Sequence, residues 1–174
     1  MYKAAVKSPI RVFILEKSMF KRFIEWAEIN NWNIEINEGT NDLPENILNR
    51  YSIDDNWMNF IKHFKLCENS DSTKWFLTVN DYFPVSNGFQ WNEFELQSLD
   101  ACGNDDEWRK NIAQYWDNHF PIFISVDDEY SYYAINTQNG NVVYGSEPEF
   151  EEATIVADDI LSFVEMIIAG NIKF

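Results

Sequence analysis

The sequence is short of the residues that most enzyme motifs require. Its 174 residues include only six glycines, and none of them forms the glycine-rich loop of a nucleotide-binding enzyme or the Gly-x-Ser-x-Gly motif of a serine hydrolase. The two histidines, His63 and His119, lie far apart and belong to no metal-binding motif. We therefore expect no catalytic residue, no cofactor and no metal ion, and we predict that the chain is not an enzyme.

Cysteine and long apolar runs are scarce as well. The two cysteines, Cys67 and Cys102, match no zinc or redox spacing, and we do not expect them to form a disulfide in a reducing compartment. No run approaches the roughly 20 apolar residues of a membrane span. The basic opening, residues 1–11, lacks the apolar stretch that follows it in a signal peptide. We expect a cytoplasmic protein with no membrane partner.

Positive charge is scarce in the second half of the chain. Residues 1–91 carry twelve acids and ten bases, whereas residues 92–174 carry seventeen acids and three bases, and the net charge is −16. A field of this sign repels nucleic acid and attracts a cationic partner. Acidity also serves solubility alone. The clustering in one half favours a basic partner and argues against nucleic acid.

Aromatic residues are plentiful, and three short apolar runs predict an antiparallel meander. The runs are Pro121–Val126, Tyr130–Ile135 and Val142–Ser146, with Asn139-Gly140 in the second connection. Asn followed by Gly favours a tight turn with positive φ at both residues. A sheet of this size is unstable alone, so we expect the rest of the chain to cover one of its faces.

Helical periodicity predicts the elements around this sheet. The predicted helices are 18–31, a short one after Leu43-Pro44, one beginning at Asp54, Asp105–His119 and one ending at Gly170. Two further segments are predicted to contain strands, Lys74–Tyr82 and Phe89–Asp100. Four tryptophans are assigned to the core: Trp26, Trp57, Trp108 and Trp116. Residues 1–16 are either an edge strand or an extension docked on the body.

These elements define the fold class. Helices before and after a block of antiparallel strands indicate an α+β fold. We predict a single domain over residues 1–174, with helices packed mainly on one face of the sheet. A basic spot at Lys21 and Arg22 is expected in the first turn of the first long helix.

The acids of the second half are predicted to gather at one edge of the meander. One group fills the turn after the first strand, and the other follows the third strand. The residues are Asp127, Asp128, Glu129, Glu147, Glu149, Glu151 and Glu152. In a three-stranded meander these two positions lie at the same edge. Like charges that converge are destabilising unless a cationic partner relieves them, so we predict that this edge is a docking surface.

The sequence gives weaker support to two other functions of the acids, catalysis and calcium binding. A hydrolase acting on carbohydrate needs a pair of carboxyl groups, and Glu93 with Glu95, or Glu149 with Glu151, would share a strand face. Such pairs are common by chance in an acidic chain. A calcium site is disfavoured, because neither acidic segment has the alternating oxygen ligands and glycine of a binding loop.

Several segments in the same order resemble the SUKH superfamily, bacterial immunity proteins related to fungal cell-wall-synthesis regulators. They are Leu43-Pro44 with a short helix, Trp75-Phe76-Leu77, Trp116 ahead of Pro121-Ile122, Tyr130–Ile135, Asn139-Gly140 with Val142-Val143-Tyr144, and the acidic segment Glu147–Glu152 before a final apolar helix. The resemblance covers about residues 17–170. In one place the chain departs from it, since Asp127-Asp128-Glu129 replaces a glycine-rich turn.

The resemblance implies an α+β fold and a non-enzymatic role. Many members of the superfamily neutralise toxins, often nucleases. We therefore expect an immunity protein that binds a basic protein toxin, with a nuclease domain as the leading candidate, through its acidic surface. The alternative is a regulatory adaptor of the cell-wall-synthesis-regulator type.

Overall fold

The computed structural model describes residues 9–39, 41–86 and 88–174. Within these residues the α-helices are α1 Pro9–Ile29, α2 Glu45–Arg50, α3 Asp55–His63, α4 Glu93–Ala101, α5 Asp106–Asn118 and α6 Ile160–Ile168. The strands are β1 Trp32–Ile36, β2 Phe64–Asn69, β3 Lys74–Phe76, β4 His119–Val126, β5 Tyr130–Asn136, β6 Val142–Ser146 and β7 Thr154–Ala157. A 3-10 helix, Val79–Tyr82, follows β3.

The strands form one seven-stranded antiparallel sheet whose spatial order follows the sequence from β1 to β7. The predicted three-strand meander is its centre, β4 to β6. Val126 pairs with Tyr130 across the β4–β5 turn, and Ser131 pairs with Ser146 in β6. The end of β6 therefore lies at the same edge as that turn. The α+β prediction is confirmed.

The predicted tight turn at Asn139-Gly140 is wrong in detail. Gly140 has φ +83°, but Asn139 keeps a negative φ. The connection is longer than two residues, and the Gly140 N–H donates to the Asn136 carbonyl at 2.7 Å. Glycine is still favoured at this position, because a positive φ strains other residues.

Helices cover both faces of the sheet, which corrects the expectation of packing mainly on one face. On one face, Tyr133 packs 4.9 Å from Phe163 of α6, measured between ring centroids. On the other face, the neighbouring Tyr132 packs 4.9 Å from Trp116 of α5. Successive strand residues point to opposite faces. Both sides of β4 and β5 are accordingly buried.

The first helix begins earlier than predicted. Because α1 starts at Pro9, residues 9–16 are helical rather than an edge strand, and residues 1–8 lie outside the described residues. Lys21 and Arg22 thus lie in the middle of the helix and not in its first turn. Arg22 donates to Glu165 of α6 at 2.7 Å. This pairing neutralises part of the basic spot.

Other local assignments also change. The strand from Lys74 ends at Phe76, and the 3-10 helix follows it, capped by reciprocal bonds between Thr78 and Asp81. The segment expected to be a strand after Phe89 is instead the helix α4. The strand β2 follows α3 directly, and no strand was predicted there from the sequence.

Buried side chains form a continuous cluster that reaches from Met19 in α1 to Ile172 near the C-terminus. Cys67 and Cys102 are buried free thiols within it. Burial raises the pKa of the Cys67 thiol, so this thiol stays protonated at neutral pH. Among the described residues, no helix has the length and apolar character needed to cross a membrane.

Candidate partner-binding site

An open groove of about 640 Å³ lies where α4 and α5 face the segment that follows β6. We call residues 147–152 the acidic loop and this depression the acidic groove. The groove is lined by Gln97, Ser98, Ala101, Trp108, Asn111, Ile112 and all six residues of the acidic loop. Four carboxylates of the sequence-predicted set, Glu147, Glu149, Glu151 and Glu152, therefore lie along one wall.

The acidic loop is anchored to the core by Phe150. This side chain is 5% exposed, and its ring stacks on Phe94 of α4 with 4.5 Å between centroids. Burying a phenylalanine contributes roughly 1.5 to 3 kcal/mol. The Phe150 carbonyl also accepts a hydrogen bond of 2.5 Å from the Tyr132 hydroxyl. The loop is thus held at its centre by both side chain and backbone.

Tyr132 is fixed in place from three directions. Its hydroxyl accepts from Tyr115 at 2.7 Å, because its own proton is donated to Phe150. Its ring lies over Gly145 of β6, where a Cβ atom would come within 2.5 Å of the hydroxyl oxygen. Burial raises the pKa of Tyr132 well above its ordinary value, so the phenol remains a donor.

A second anchor orients Glu151. The indole N–H of buried Trp116 donates to Glu151 Oε1 at 2.7 Å. This bond satisfies a buried donor and turns Glu151 inward, so that it is half-buried. Glu149 and Glu152 on either side are exposed and point away from the core. Anchoring of Glu151 thereby presents the other two carboxylates to the solvent.

The other predicted acids adjoin this wall. Asp127, Asp128 and Glu129 form the exposed β4–β5 turn. Glu147 joins the turn to the groove, since the Tyr130 N–H donates to Glu147 Oε1 at 3.1 Å. The two groups of acids therefore meet at one edge of the sheet.

The seven acids are not equally available to a partner. Asp127 is paired with Lys74 at 2.6 Å, while Glu147 and Glu151 accept the bonds described above. Among the described residues, the remaining four have no side-chain hydrogen bond or salt bridge: Asp128, Glu129, Glu149 and Glu152. A single lysine, Lys74, thus neutralises one of the seven acids, and most of the negative charge of the group faces the solvent.

Sequence reasoning missed the role of Trp108. Trp57 and Trp116 are buried as predicted, but Trp108 is 46% exposed and lines the groove. Its position is set by Asp105, which caps α5 by accepting from the Trp108 N–H at 2.9 Å. The available signal was its place in the first turn of α5, directly after three acids. Charged residues are mostly exposed, which favours a solvent-facing start of the helix.

The carboxylate pair proposed for hydrolysis is not formed by Glu93 and Glu95. Both lie on α4, where residues two apart do not face each other. Glu95 is buried and accepts bonds of 2.9 and 2.6 Å from Arg50 of α2. Within the described residues there is no group of three side chains able to hold a metal ion.

His119 should titrate below the ordinary range of histidine. Its Nδ1 contacts the Tyr115 carbonyl at 2.8 Å and must carry the proton, so Nε2 accepts from the Asn136 amide at 3.2 Å. Burial lowers the His119 pKa, and the carbonyl contact partly opposes this shift. An NMR titration of the imidazole protons should place its midpoint below that of an exposed histidine, about 6.5.

The sign of the stability effect follows from this shift. The folded state favours neutral His119, so its contribution is complete above a pH of about 6.5 and is lost as pH falls through the lower, folded-state pKa. Urea unfolding should show a smaller pH dependence over this window in His119→Gln than in the natural chain. His63, whose pKa is also lowered by burial, retains part of the dependence. A His119 midpoint above that of an exposed histidine would contradict the assignment.

Comparison of the chain with protein-family models, with curated proteins and with solved structures found no match.

Proposed function

We propose that this chain is a cytoplasmic binding protein that neutralises a basic protein toxin, with the acidic groove and its rim as the contact surface. The observation that carries the proposal is the anchored acidic loop, which holds Glu149 and Glu152 exposed beside a groove. The resemblance to SUKH immunity proteins supplies the class of partner. No catalytic step is assigned to the protein.

Rigid placement of the carboxylates supports this proposal. The acidic loop is fixed by Phe150, by the Tyr132 hydroxyl and by the Trp116 indole. Charges held in place before binding lose little conformational freedom when a partner arrives. An acidic surface also accelerates the association of a basic protein, and salt weakens this electrostatic attraction. A nuclease domain is a suitable partner because its own nucleic-acid site is basic.

Charge reversal of the two free rim acids tests the proposal. The double variant Glu149→Lys and Glu152→Lys should lower the association rate with a basic toxin domain, sought among the products of genes adjacent to that of this chain, by about tenfold or more at low salt. Glu151 is left unchanged, because its bond to Trp116 supports the fold. Stopped-flow measurements over a series of salt concentrations should show a weaker salt dependence for the variant.

A matched control separates this site from net charge. Glu28 and Glu38 are exposed acids in α1 and after β1, away from the groove. The variant Glu28→Lys and Glu38→Lys has the same net charge as the rim variant and should change the rate about twofold at most. Equal losses in both variants would reject the groove as the contact surface. Absence of any binding to the toxin domain would reject the function.

A further inference from the structure

The acidic groove has an aromatic ring in one wall as well as acids in the other. Trp108 is 46% exposed and lies among the lining residues with Glu149 and Glu152. Simple steering of a basic protein would require only the carboxylates. An exposed indole beside them offers a face on which a cation can be stacked. The groove can therefore hold a cation by stacking as well as by long-range attraction.

Arginine matches this combination better than lysine does. A guanidinium group is planar, stacks on an aromatic face and donates two parallel bonds to one carboxylate. A lysine ammonium is a strongly hydrated point charge, which gains less from stacking. Tryptophan is also the aromatic side chain that attracts a cation most strongly.

The two helices that line the groove, α4 and α5, already hold an arginine of this chain in such an arrangement. The Arg50 guanidinium lies 5.1 Å from the centroid of the Tyr51 ring. It donates two bonds to Glu95 of α4, at 2.9 and 2.6 Å, and one to Asp117 of α5, at 2.9 Å. One aromatic face and two carboxylates thus surround a guanidinium in this fold. The acidic groove presents those elements between the same helices and the acidic loop.

The chain's own bases beside Trp108 do not take this place. Arg109 Nη2 donates to the Gly103 carbonyl at 2.7 Å, which directs its side chain to the α4–α5 connection. Lys110 is exposed, and among the described residues neither base lines the groove. The Trp108 face and the rim acids remain accessible to a side chain from another protein.

We infer that the acidic groove binds an arginine side chain of its partner, stacked on Trp108 and hydrogen-bonded to Glu149 or Glu152. This inference rests on the proposed function and names the partner residue that the groove selects. A partner that carries only lysines at its contact would be held less firmly. Selectivity for arginine then comes from the groove, while the rest of the acidic edge contributes mainly to the rate of association.

Two synthetic peptides of twelve residues test the inference with the full chain. One repeats Gly-Ser-Arg, and the other has lysine at every arginine position. Isothermal titration calorimetry at low salt should give an affinity about fivefold to tenfold higher for the arginine peptide, in the range expected of a cation–aromatic contact. Trp108→Ala should remove that preference and leave the affinity for the lysine peptide within about twofold. Trp108→Phe should retain part of it.

The possible failures are distinguishable. Equal affinities for both peptides, unchanged in Trp108→Ala but lost in Glu149→Lys with Glu152→Lys, would overturn the arginine inference and leave the proposed function standing. Failure of both peptides to bind at low salt would overturn the arginine inference, and so would loss of peptide binding in Glu28→Lys with Glu38→Lys. The proposed function is decided separately, by binding of the toxin domain. Because Trp108 is half exposed, Trp108→Ala should unfold at nearly the natural temperature, which circular dichroism verifies.

Discussion

Gly145→Ala should destabilise the protein by about 3 kcal/mol, at the upper end of the usual cost of overpacking a core. The added Cβ would lie 2.5 Å from the Tyr132 hydroxyl oxygen and 2.6 Å from two ring carbons. Tyr132 is fully buried and bonded to both Tyr115 and Phe150, so its ring cannot move away without losing these bonds. Urea unfolding at neutral pH measures the loss.

A second glycine provides the control. Gly140→Ala places a Cβ in open space, and its cost is limited to the strained φ of +83°, about 1 kcal/mol. Removing only the hydroxyl, as in Tyr132→Phe, should not rescue Gly145→Ala, since the ring carbons still obstruct the Cβ. If Gly145→Ala were as stable as the natural protein, Tyr132 could not be the fixed support of the acidic loop.

Arg50→Met should also cost about 3 kcal/mol, since it leaves the Glu95 carboxylate buried without a partner. The Glu95 side chain is 9% exposed, and Arg50 supplies both of its hydrogen bonds. Arg50 also joins α2 to α4 and α5 through Glu95 and Asp117. Asp117 is 60% exposed and can return to water. Urea unfolding of the single variants is the measurement.

A double variant separates the cost of the orphaned charge from the value of the pair. Arg50→Met combined with Glu95→Met should recover most of the loss, because apolar residues of similar volume often replace a buried ion pair with little penalty. The exposed pair between Lys65 and Glu35 gives the comparison, and Lys65→Met should leave the stability nearly unchanged. An Arg50→Met variant no less stable than Lys65→Met would refute the account of Glu95.

The centre of the fold and the placement of the acids could be predicted from the sequence because both depend on short-range patterns. Alternating apolar residues define β4 and β5, and a meander necessarily returns the end of β6 to the edge of the β4–β5 turn. The closing helix was predicted from its periodicity and from Gly170, which adopts φ +74° after its last turn.

The parts that escaped prediction depend on contacts distant in sequence. In α4, Phe94 and Leu96 alternate with acids, which resembles a strand, and the N-cap Asn92 makes no side-chain bond. A partner 45 residues away, Arg50, satisfies the buried carboxylate of this helix. The exposure of Trp108 likewise belongs to the groove that α4, α5 and the acidic loop form together, which periodicity along one helix cannot give.

The role of Gly145 was hidden for the same reason. In the sequence it stands as one glycine in a strand, whereas in the fold it provides the space for the Tyr132 ring on the neighbouring strand. The ring then positions the carbonyl of Phe150 and, with it, the acidic loop. Local composition does not reveal such a close contact between residues on neighbouring strands.

The most direct measurement of the central claim is an NMR shift map of the full chain titrated with the arginine peptide at low salt. The account predicts that the largest shifts fall on the Trp108 indole N–H and on the backbone of residues 97–101, 108–112 and 147–152, and that salt diminishes them. Shifts concentrated on α1 and β1, with the Trp108 indole unmoved, would contradict it.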